Sequence, residues 1–117
     1  MSELLKVSVL RKSQPVMLEV AEGDEVKIFV KEMTGAQRDE YFNKMASRTV
    51  RDANGEVTGM KDFKGLYSTL LSLCVYDANN KPMSEKDLQD WPDSAQKALF
   101  EVARDINGLS KEDSEKN

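Results

Sequence analysis

The sequence predicts an α+β fold in which an N-terminal β-hairpin packs on a small bundle of three to four helices. Two stretches of alternating apolar and polar residues lie near the N-terminus, and apolar residues recur at helical spacing after residue 34. Residues 110–117 are wholly polar and predict a disordered, flexible tail. A chain of 117 residues fits one domain, which we assign to residues 1–109.

The hairpin follows from two runs with a period of two residues. The apolar positions are Val16, Leu18 and Val20 in the first run and Val26, Ile28 and Val30 in the second. Residues 21–24 separate the runs and contain Gly23, which is typical of a hairpin turn. An isolated hairpin is marginally stable in water, so we expect its apolar face to pack on helices.

Residues 4–12 carry a mixed pattern. Leu4, Leu5, Val9 and Leu10 can share one face of a helix, whereas Val7 and Val9 alternate with polar neighbours as in a strand. We favour a short helix that ends before Pro15, because the residue before a proline avoids the helical conformation.

Two longer helices are predicted next. Thr34 and Gln37 have the spacing of a capping box, and Arg38, Tyr41, Phe42 and Met45 recur at helical spacing through Ser47. A central helix is expected from about Asp62 to Tyr76, because Leu66, Leu70, Leu73 and Cys74 follow one face. Turn-forming residues occupy positions 77–82.

The C-terminal part predicts a short helix and a long one. The short helix starts at Ser84 and carries Leu88 and Trp91, and the long one starts with Asp93 as its cap. The apolar stripe of the long helix is Leu99, Val102, Ala103 and Ile106. Asn107-Gly108-Leu109 should end it, with the glycine in a left-handed conformation and the leucine folded back.

Residues 48–61 have no clear period. Asp52-Ala53-Asn54-Gly55 is a turn sequence between Val50 and Val57, so a small second hairpin and a mobile loop both remain open. Asp52, Asn54 and Glu56 also suggest a calcium loop, but its terminal glutamate is missing, since residue 63 is Phe. We interpret the segment as a turn.

Composition argues against catalysis, cofactors and metals. The chain contains no histidine, and its one cysteine, Cys74, lies on an apolar helical face without a base to activate it. No glycine-rich phosphate loop is present. We therefore expect neither an enzyme nor a bound cofactor or metal.

Charge and hydropathy argue against nucleic-acid and membrane partners. Seventeen basic and twenty-one acidic residues give a net charge of −4, which repels phosphate backbones. The apolar runs are too short to cross a bilayer, and the N-terminus lacks the features of a signal peptide. We expect a cytoplasmic protein-binding domain.

Seven residues are candidates for partner binding. Trp91 either covers the edge of the core or anchors an interface, where tryptophan is enriched, and methionines suit surfaces that adapt to a partner. The candidates are Leu4, Leu5, Met45, Val50, Val57, Met60 and Trp91.

Two parts of the sequence resemble one protein family, the tail assembly chaperones of long-tailed phages with non-contractile tails. Val30 to Asp39 (VKEMTGAQRD), followed by Tyr41-Phe42, resembles the family's entry from a strand into a capped helix. The C-terminal half is similar in its order of helix, acidic turn, short helix and last helix, as seen in Leu73 to Asp77, Lys81-Pro82-Met83, Leu88, Trp91, Ala98-Leu99 and Ile106 to Ser110. The likeness spans roughly residues 15–110. Asn80 departs from the usual glycine, and Met83 from a larger aromatic residue or leucine.

The resemblance implies a function in phage tail assembly. Such chaperones coat the long, helical tape measure protein in the host cytoplasm, keep it soluble and recruit tail tube subunits, and they are absent from the mature virion. A ribosomal frameshift often yields a longer form that binds the tube protein, and codons for Glu115-Lys116-Asn117 can form a slippery run of adenines. Weak self-association is also expected, because neighbouring copies on one client gain effective concentration. The alternative is a small acidic adaptor or inhibitor that occludes a partner's binding surface.

Overall fold

The structure is a computed structural model that describes residues 4–60 and 65–109. This part of the chain has a mixed α+β fold with an N-terminal hairpin and four helices, as the sequence predicts. The predicted tail, residues 110–117, lies outside the described residues. The elements are β1 Ser13–Ala21, β2 Asp24–Lys31, α1 Gly35–Arg48, β3 Thr49–Arg51, β4 Val57–Met60, α2 Ser68–Cys74, β5 Val75–Tyr76, α3 Glu85–Gln89 and α4 Asp93–Ile106.

The N-terminal hairpin is confirmed. Strands β1 and β2 pair antiparallel, with Val16 opposite Ile28 and Leu18 opposite Val26. Gly23 supplies the positive φ of the turn, 76°, which a residue without Cβ adopts without strain. The sheet order is β1-β2-β5, so β2 is the central strand and β1 lies at an edge of the sheet.

The predicted N-terminal helix is wrong. Residues 4–12 form neither helix nor strand, and every side chain among them is exposed. A short helix in water needs tertiary packing of its apolar face, and no residue among 4–60 and 65–109 covers Leu4, Leu5, Val9 or Leu10. Instead the carbonyl of Lys12 accepts the Glu32 amide at 2.8 Å and continues the ladder of the hairpin.

Helix α1 begins with the predicted capping box. The Gln37 amide donates to the Thr34 hydroxyl at 3.2 Å, and the Thr34 amide donates to the Gln37 side chain at 3.0 Å. Tyr41 is buried, while Phe42 and Met45 pack half-buried against the core. The apolar face predicted from spacing is therefore the face that α1 buries.

Helix α2 is central but shorter than predicted. Leu70, Leu71 and Cys74 are completely buried, which confirms its position in the core. Gly65, with φ of 72°, precedes the helix in a turn, and Val75-Tyr76 leaves it to pair with Val30 and Phe29 of β2. The prediction that the helix reaches Tyr76 is wrong, because β2 offers an unpaired edge that these residues complete. The expected start, residues 61–64, lies outside the described residues.

The turn and short helix that follow agree with the sequence. Asn80 takes a positive φ of 64°, a conformation that asparagine tolerates better than most residues. Ser84 caps α3 by accepting the Asp87 amide at 3.2 Å, and Leu88 is buried.

The predicted cap of α4 is wrong, whereas its predicted end is confirmed. Pro92 is the N-cap and offers no side-chain bond, so Asp93 is already helical. At the other end Gly108 has φ of 67°, and the buried Leu109 donates its amide to the Arg104 carbonyl at 2.8 Å. This is the Schellman arrangement that Asn-Gly-Leu predicts.

Of the two possibilities for residues 48–61, the structure contains the hairpin. Strands β3 and β4 pair antiparallel, and no described side chain in them is buried. The Asp52 carboxylate accepts the amides of Asn54 and Glu56 at 2.9 and 3.0 Å, so it organises the turn itself. Gly55 completes the turn at φ of 82°.

The core lies between the inner face of the first hairpin and helices α2 and α4. Ile28 and Val30 of β2 face Leu70, Leu71 and Cys74 of α2, and α4 closes the layer. Leu88, Leu99, Ala103 and Leu109 fill the remaining space. The hairpin tip extends beyond this cover, so Val20 and Val26 stay exposed.

Candidate partner-binding surface

The seven predicted residues lie in three places. Leu4 and Leu5 belong to the exposed N-terminal segment, and Trp91 lies between α3 and α4. The others are near the end of α1 and on the second hairpin: Met45 is half-buried against the core, Val50 is exposed, Val57 is half-buried, and Met60 is described only by its backbone. Whether any of them binds a partner stays a prediction.

The N-terminal segment, residues 4–10, presents bare apolar side chains to solvent. Leu4 is 97% exposed and Val9 is 93% exposed. Five of its side chains are apolar: Leu4, Leu5, Val7, Val9 and Leu10. Lys6 and Ser8 interrupt the segment, but its density of exposed apolar side chains is still typical of a surface that a partner covers.

A groove runs between the hairpin tip and the junction of α3 and α4. It is an open space of about 420 Å³ bordered on one side by the turn of residues 77–79. We call it the tip groove. Its apolar lining consists of Leu18, Val20, Val26, Ile28, Met83 and Trp91.

The tip groove exists because the hairpin is longer than the helices that cover it. Helix α4 packs over the Val16 end of the inner face, where Val102 and Ile106 lie. No described element covers the other end, so Val20 is 56% exposed and Val26 is 42% exposed. These apolar residues belong to the inner face of the sheet, but helix α4 does not reach them. Exposed apolar surface of this kind is available to a partner.

Trp91 covers the edge of the core, and its role as an interface anchor stays a prediction. Its side chain packs half-buried against the core and also borders the tip groove. The Gln96 side chain donates to its carbonyl at 2.8 Å, and its amide donates to the Leu88 carbonyl at 3.2 Å. These bonds fix the backbone of Trp91, and its side chain packs against the core at the rim of the groove.

Sequence reasoning missed Leu18, Val20, Val26 and Met83 as surface residues. The alternating pattern assigns the three β-strand residues to the inner face, but how much of that face the helices cover depends on tertiary placement. The alternating runs continue up to the turn. Their length was the only feature of the sequence that indicated an uncovered end of the inner face. Met83 was noted only as a departure from the family pattern, not as a surface residue.

Cys74 has the environment of a structural residue. It is completely buried, with the Asn107 amide 3.5 Å from Sγ. Burial raises the pKa of the thiol to about 11, although the hydrogen bond from Asn107 and the charge of Arg11 act in the opposite direction. The thiol is therefore neutral at physiological pH, which is the inert form.

A polar network joins α2 and α3 beside Gly65. Glu85 accepts hydrogen bonds from the hydroxyls of Ser68 and Thr69 at 3.3 and 3.4 Å. Arg48 donates to Thr69 at 2.9 Å, and Gln89 donates to Ser68 at 3.2 Å. Both hydroxyl residues are fully buried, so the network satisfies polar groups inside the fold rather than presenting a nucleophile.

The described residues offer neither a metal site nor a membrane-spanning helix. Residues 4–60 and 65–109 contain no cluster of three or more Cys, Asp or Glu side chains that could hold a metal ion. No helix in the same residues is long and apolar enough to span a membrane. Comparisons of the chain with protein-family models, curated proteins and solved structures find no match.

Proposed function

We propose that this protein is a phage tail assembly chaperone that binds the tape measure protein and helps to recruit tail tube subunits. It acts without catalysis in the host cytoplasm and leaves before the virion is complete. The observation that carries the proposal is the tip groove, an apolar surface that no described element covers and that Trp91 borders. The sequence resemblance over residues 15–110 supplies the class of client.

An amphipathic helix is the ligand that suits such a groove. A helix presents apolar anchors at every third or fourth residue, and a groove accepts them as a row. The tape measure protein, which the resemblance implies to be long and helical, offers many such rows. Val20 and Val26 are each about half exposed, so covering them contributes roughly 1 kcal/mol apiece.

Weak contacts between each chaperone copy and the tape measure protein allow the chaperone to be displaced. Tube subunits must displace the chaperone, and a modest groove permits this. Many copies along one client still bind well, because each bound copy raises the effective concentration of the next. The N-terminal segment, with its exposed Leu4 and Leu5, provides apolar surface for weak self-association between copies. Contacts with the tube protein come mainly through a frameshifted longer form.

Trp91 is the single tryptophan of the chain and therefore reports on the groove directly. Peptides from helical parts of the tape measure protein, chosen without tryptophan, are titrated while indole emission is followed. We expect a saturable blue shift as the helix covers the ring. The double variant Val20→Ser, Val26→Ser should bind more weakly.

Met17→Ser is the matched control. Met17 and Val20 are both 56% exposed on β1, but Met17 lies on the opposite face of the sheet from the tip groove. It should bind as the wild type does. Equal weakening by the control, or no saturable change in emission with any helical peptide, contradicts groove binding.

A further inference from the structure

The sheet face turned away from the core carries three cations beside two aromatic rings. Lys27, Phe29 and Lys31 alternate along β2, and Tyr76 lies opposite Phe29 on β5. The Arg11 guanidinium is 5.3 Å from the centre of the Tyr76 ring, and the Lys31 ammonium is 4.8 Å from it. Lys27 is 5.4 Å from the Phe29 ring. We call these five residues the basic face.

Arg11 is fixed by neutral groups. Its Nε donates to the Glu32 carbonyl at 2.7 Å, and its Nη2 donates to Gln37 at 3.3 Å and to the Tyr76 hydroxyl at 3.2 Å. Within residues 4–60 and 65–109, Nη1 makes no hydrogen bond, so its two N–H groups stay available.

Lys31 is also held without being neutralised. Its ammonium donates to the side-chain oxygen of Asn80 while lying over the Tyr76 ring. In the described part of the chain, no carboxylate forms an ion pair with Arg11, Lys27 or Lys31. A cation that is positioned by neutral partners keeps its full charge for a ligand. Because its side chain is already ordered, binding a ligand costs less conformational entropy.

The electrostatics of Tyr76 agree with this arrangement. Burial raises the pKa of its hydroxyl, but hydrogen bonds with Gln37 and Arg11 and the charges of Arg11 and Lys31 outweigh burial, so the pKa is lowered. Arg11 and Lys31, the two cations next to the Tyr76 ring, also line a shallow depression of about 370 Å³ together with Ser13, Phe29 and Asn80. Positive potential and concave shape thus coincide.

The geometry points to a binding site for an acidic protein segment on the basic face. A carboxylate in the depression would accept hydrogen bonds from Nη1 of Arg11 and from the Lys31 ammonium, while the Phe29 ring packs against the stem of the same side chain. Charge-assisted bonds of this kind are stronger than bonds between neutral groups. The inference does not rest on the proposed function, because the depression lined by Arg11, Phe29 and Lys31 shares no lining residue with the tip groove. Of the basic face, Lys27 also borders the groove.

The extent of the positive surface favours an acidic peptide over a nucleic acid. Glu19 and Glu25 stand opposite each other on this face at the hairpin tip, and Glu32 follows β2 at the other end. The chain carries a net charge of −4. A short positive patch bounded by carboxylates suits one or two carboxylates, whereas a polynucleotide needs a longer basic track.

The test uses the whole chain labelled with ¹⁵N and a capped peptide of alternating Glu and Ala as the probe. We expect saturable amide shifts at Arg11, Lys31 and Tyr76, and an affinity that falls between about 20 and about 150 mM salt as the charges are screened. Lys31→Glu should weaken binding about tenfold or more, the size expected for one charge-assisted bond. Lys31→Gln should weaken it less.

Lys97→Glu is the matched control, because it changes net charge equally at an exposed position of α4. It should bind within about twofold of the wild type, as expected for a distant exposed charge. Far-UV circular dichroism verifies that each variant is folded. Absence of saturable shifts at the basic face, or equal weakening by Lys97→Glu, overturns the site. Tighter binding of inorganic phosphate or of a thymidine oligonucleotide at the same residues overturns its assignment to an acidic protein segment.

Discussion

Asn107 ties the end of α4 to the backbone that leads into α1, since its Oδ1 accepts a hydrogen bond from the Met33 amide at 2.7 Å. Its Nδ2 donates to the Ala103 carbonyl at 2.8 Å and lies 3.5 Å from Sγ of Cys74. One side chain therefore joins the last helix, the central helix and the segment between β2 and α1. The Asn-Gly-Leu sequence predicts the helix end, but this link is visible only in three dimensions.

Asn107→Ala should destabilise the fold by about 1–3 kcal/mol, because it leaves the amide of the buried Met33 without its partner. Urea denaturation followed by circular dichroism measures the change. Asn43→Ala, at an exposed position of α1, is the control and should stay within about 0.5 kcal/mol of the wild type. Equal stability of the two variants would contradict the proposed link.

Gly65→Ala should destabilise by roughly 1–3 kcal/mol, because Gly65 has φ of 72° and the new Cβ would lie 2.8 Å from Oε1 of Glu85. The contact forces the polar network beside α2 to move. Gly59→Ala meets nothing within 4 Å and has no positive φ, so the thermal midpoint of this control should change much less. A Gly65→Ala variant as stable as the control would argue against this turn.

Leu70→Ala should cost roughly 2–5 kcal/mol, the range for removing a fully buried leucine. Leu4→Ala removes the same atoms from a side chain that is 97% exposed and should cost almost nothing. Denaturation curves compare the two. If the Leu70 variant loses no stability, α2 is not the centre of the core.

The pKa of Cys74, raised from 9.0 to about 11, predicts a loss of stability at high pH. Above pH 9 the unfolded chain loses the thiol proton while the folded chain keeps it, so ionisation favours unfolding. The contribution is fully present below pH 9 and is lost as pH rises to about 11. Cys74→Ala should show a shallower fall in unfolding free energy over this interval. Identical slopes would contradict burial of the thiol.

The sequence predicts the local parts of the fold and misses those that depend on distant partners. The hairpin and the Thr34 capping box follow from patterns within a few residues. Val75-Tyr76 looks helical in sequence, but the free edge of β2, more than forty positions earlier, turns it into a strand. The helix expected at residues 4–12 needed a surface to pack on, and the described part of the chain provides none.

The candidate surface also has a part that the sequence predicts and a part that depends on distant residues. Trp91 was identified from its residue type, whereas the rest of the tip groove depends on where the helices stop covering the hairpin. The basic face was missed because Arg11 and Tyr76 are far apart in sequence and meet only across the sheet. A net charge of −4 concealed a local cluster of cations.

The most direct test of the account is the solubility of the tape measure protein co-expressed with this chain. Ultracentrifugation of the lysate and quantitative blotting give the soluble fraction. We predict a soluble complex with the wild type and with Met17→Ser, and mostly insoluble tape measure protein with the Val20→Ser, Val26→Ser variant. Tape measure protein that is equally soluble alone, or equally insoluble with every form of the chain, would contradict the assignment as a tail assembly chaperone.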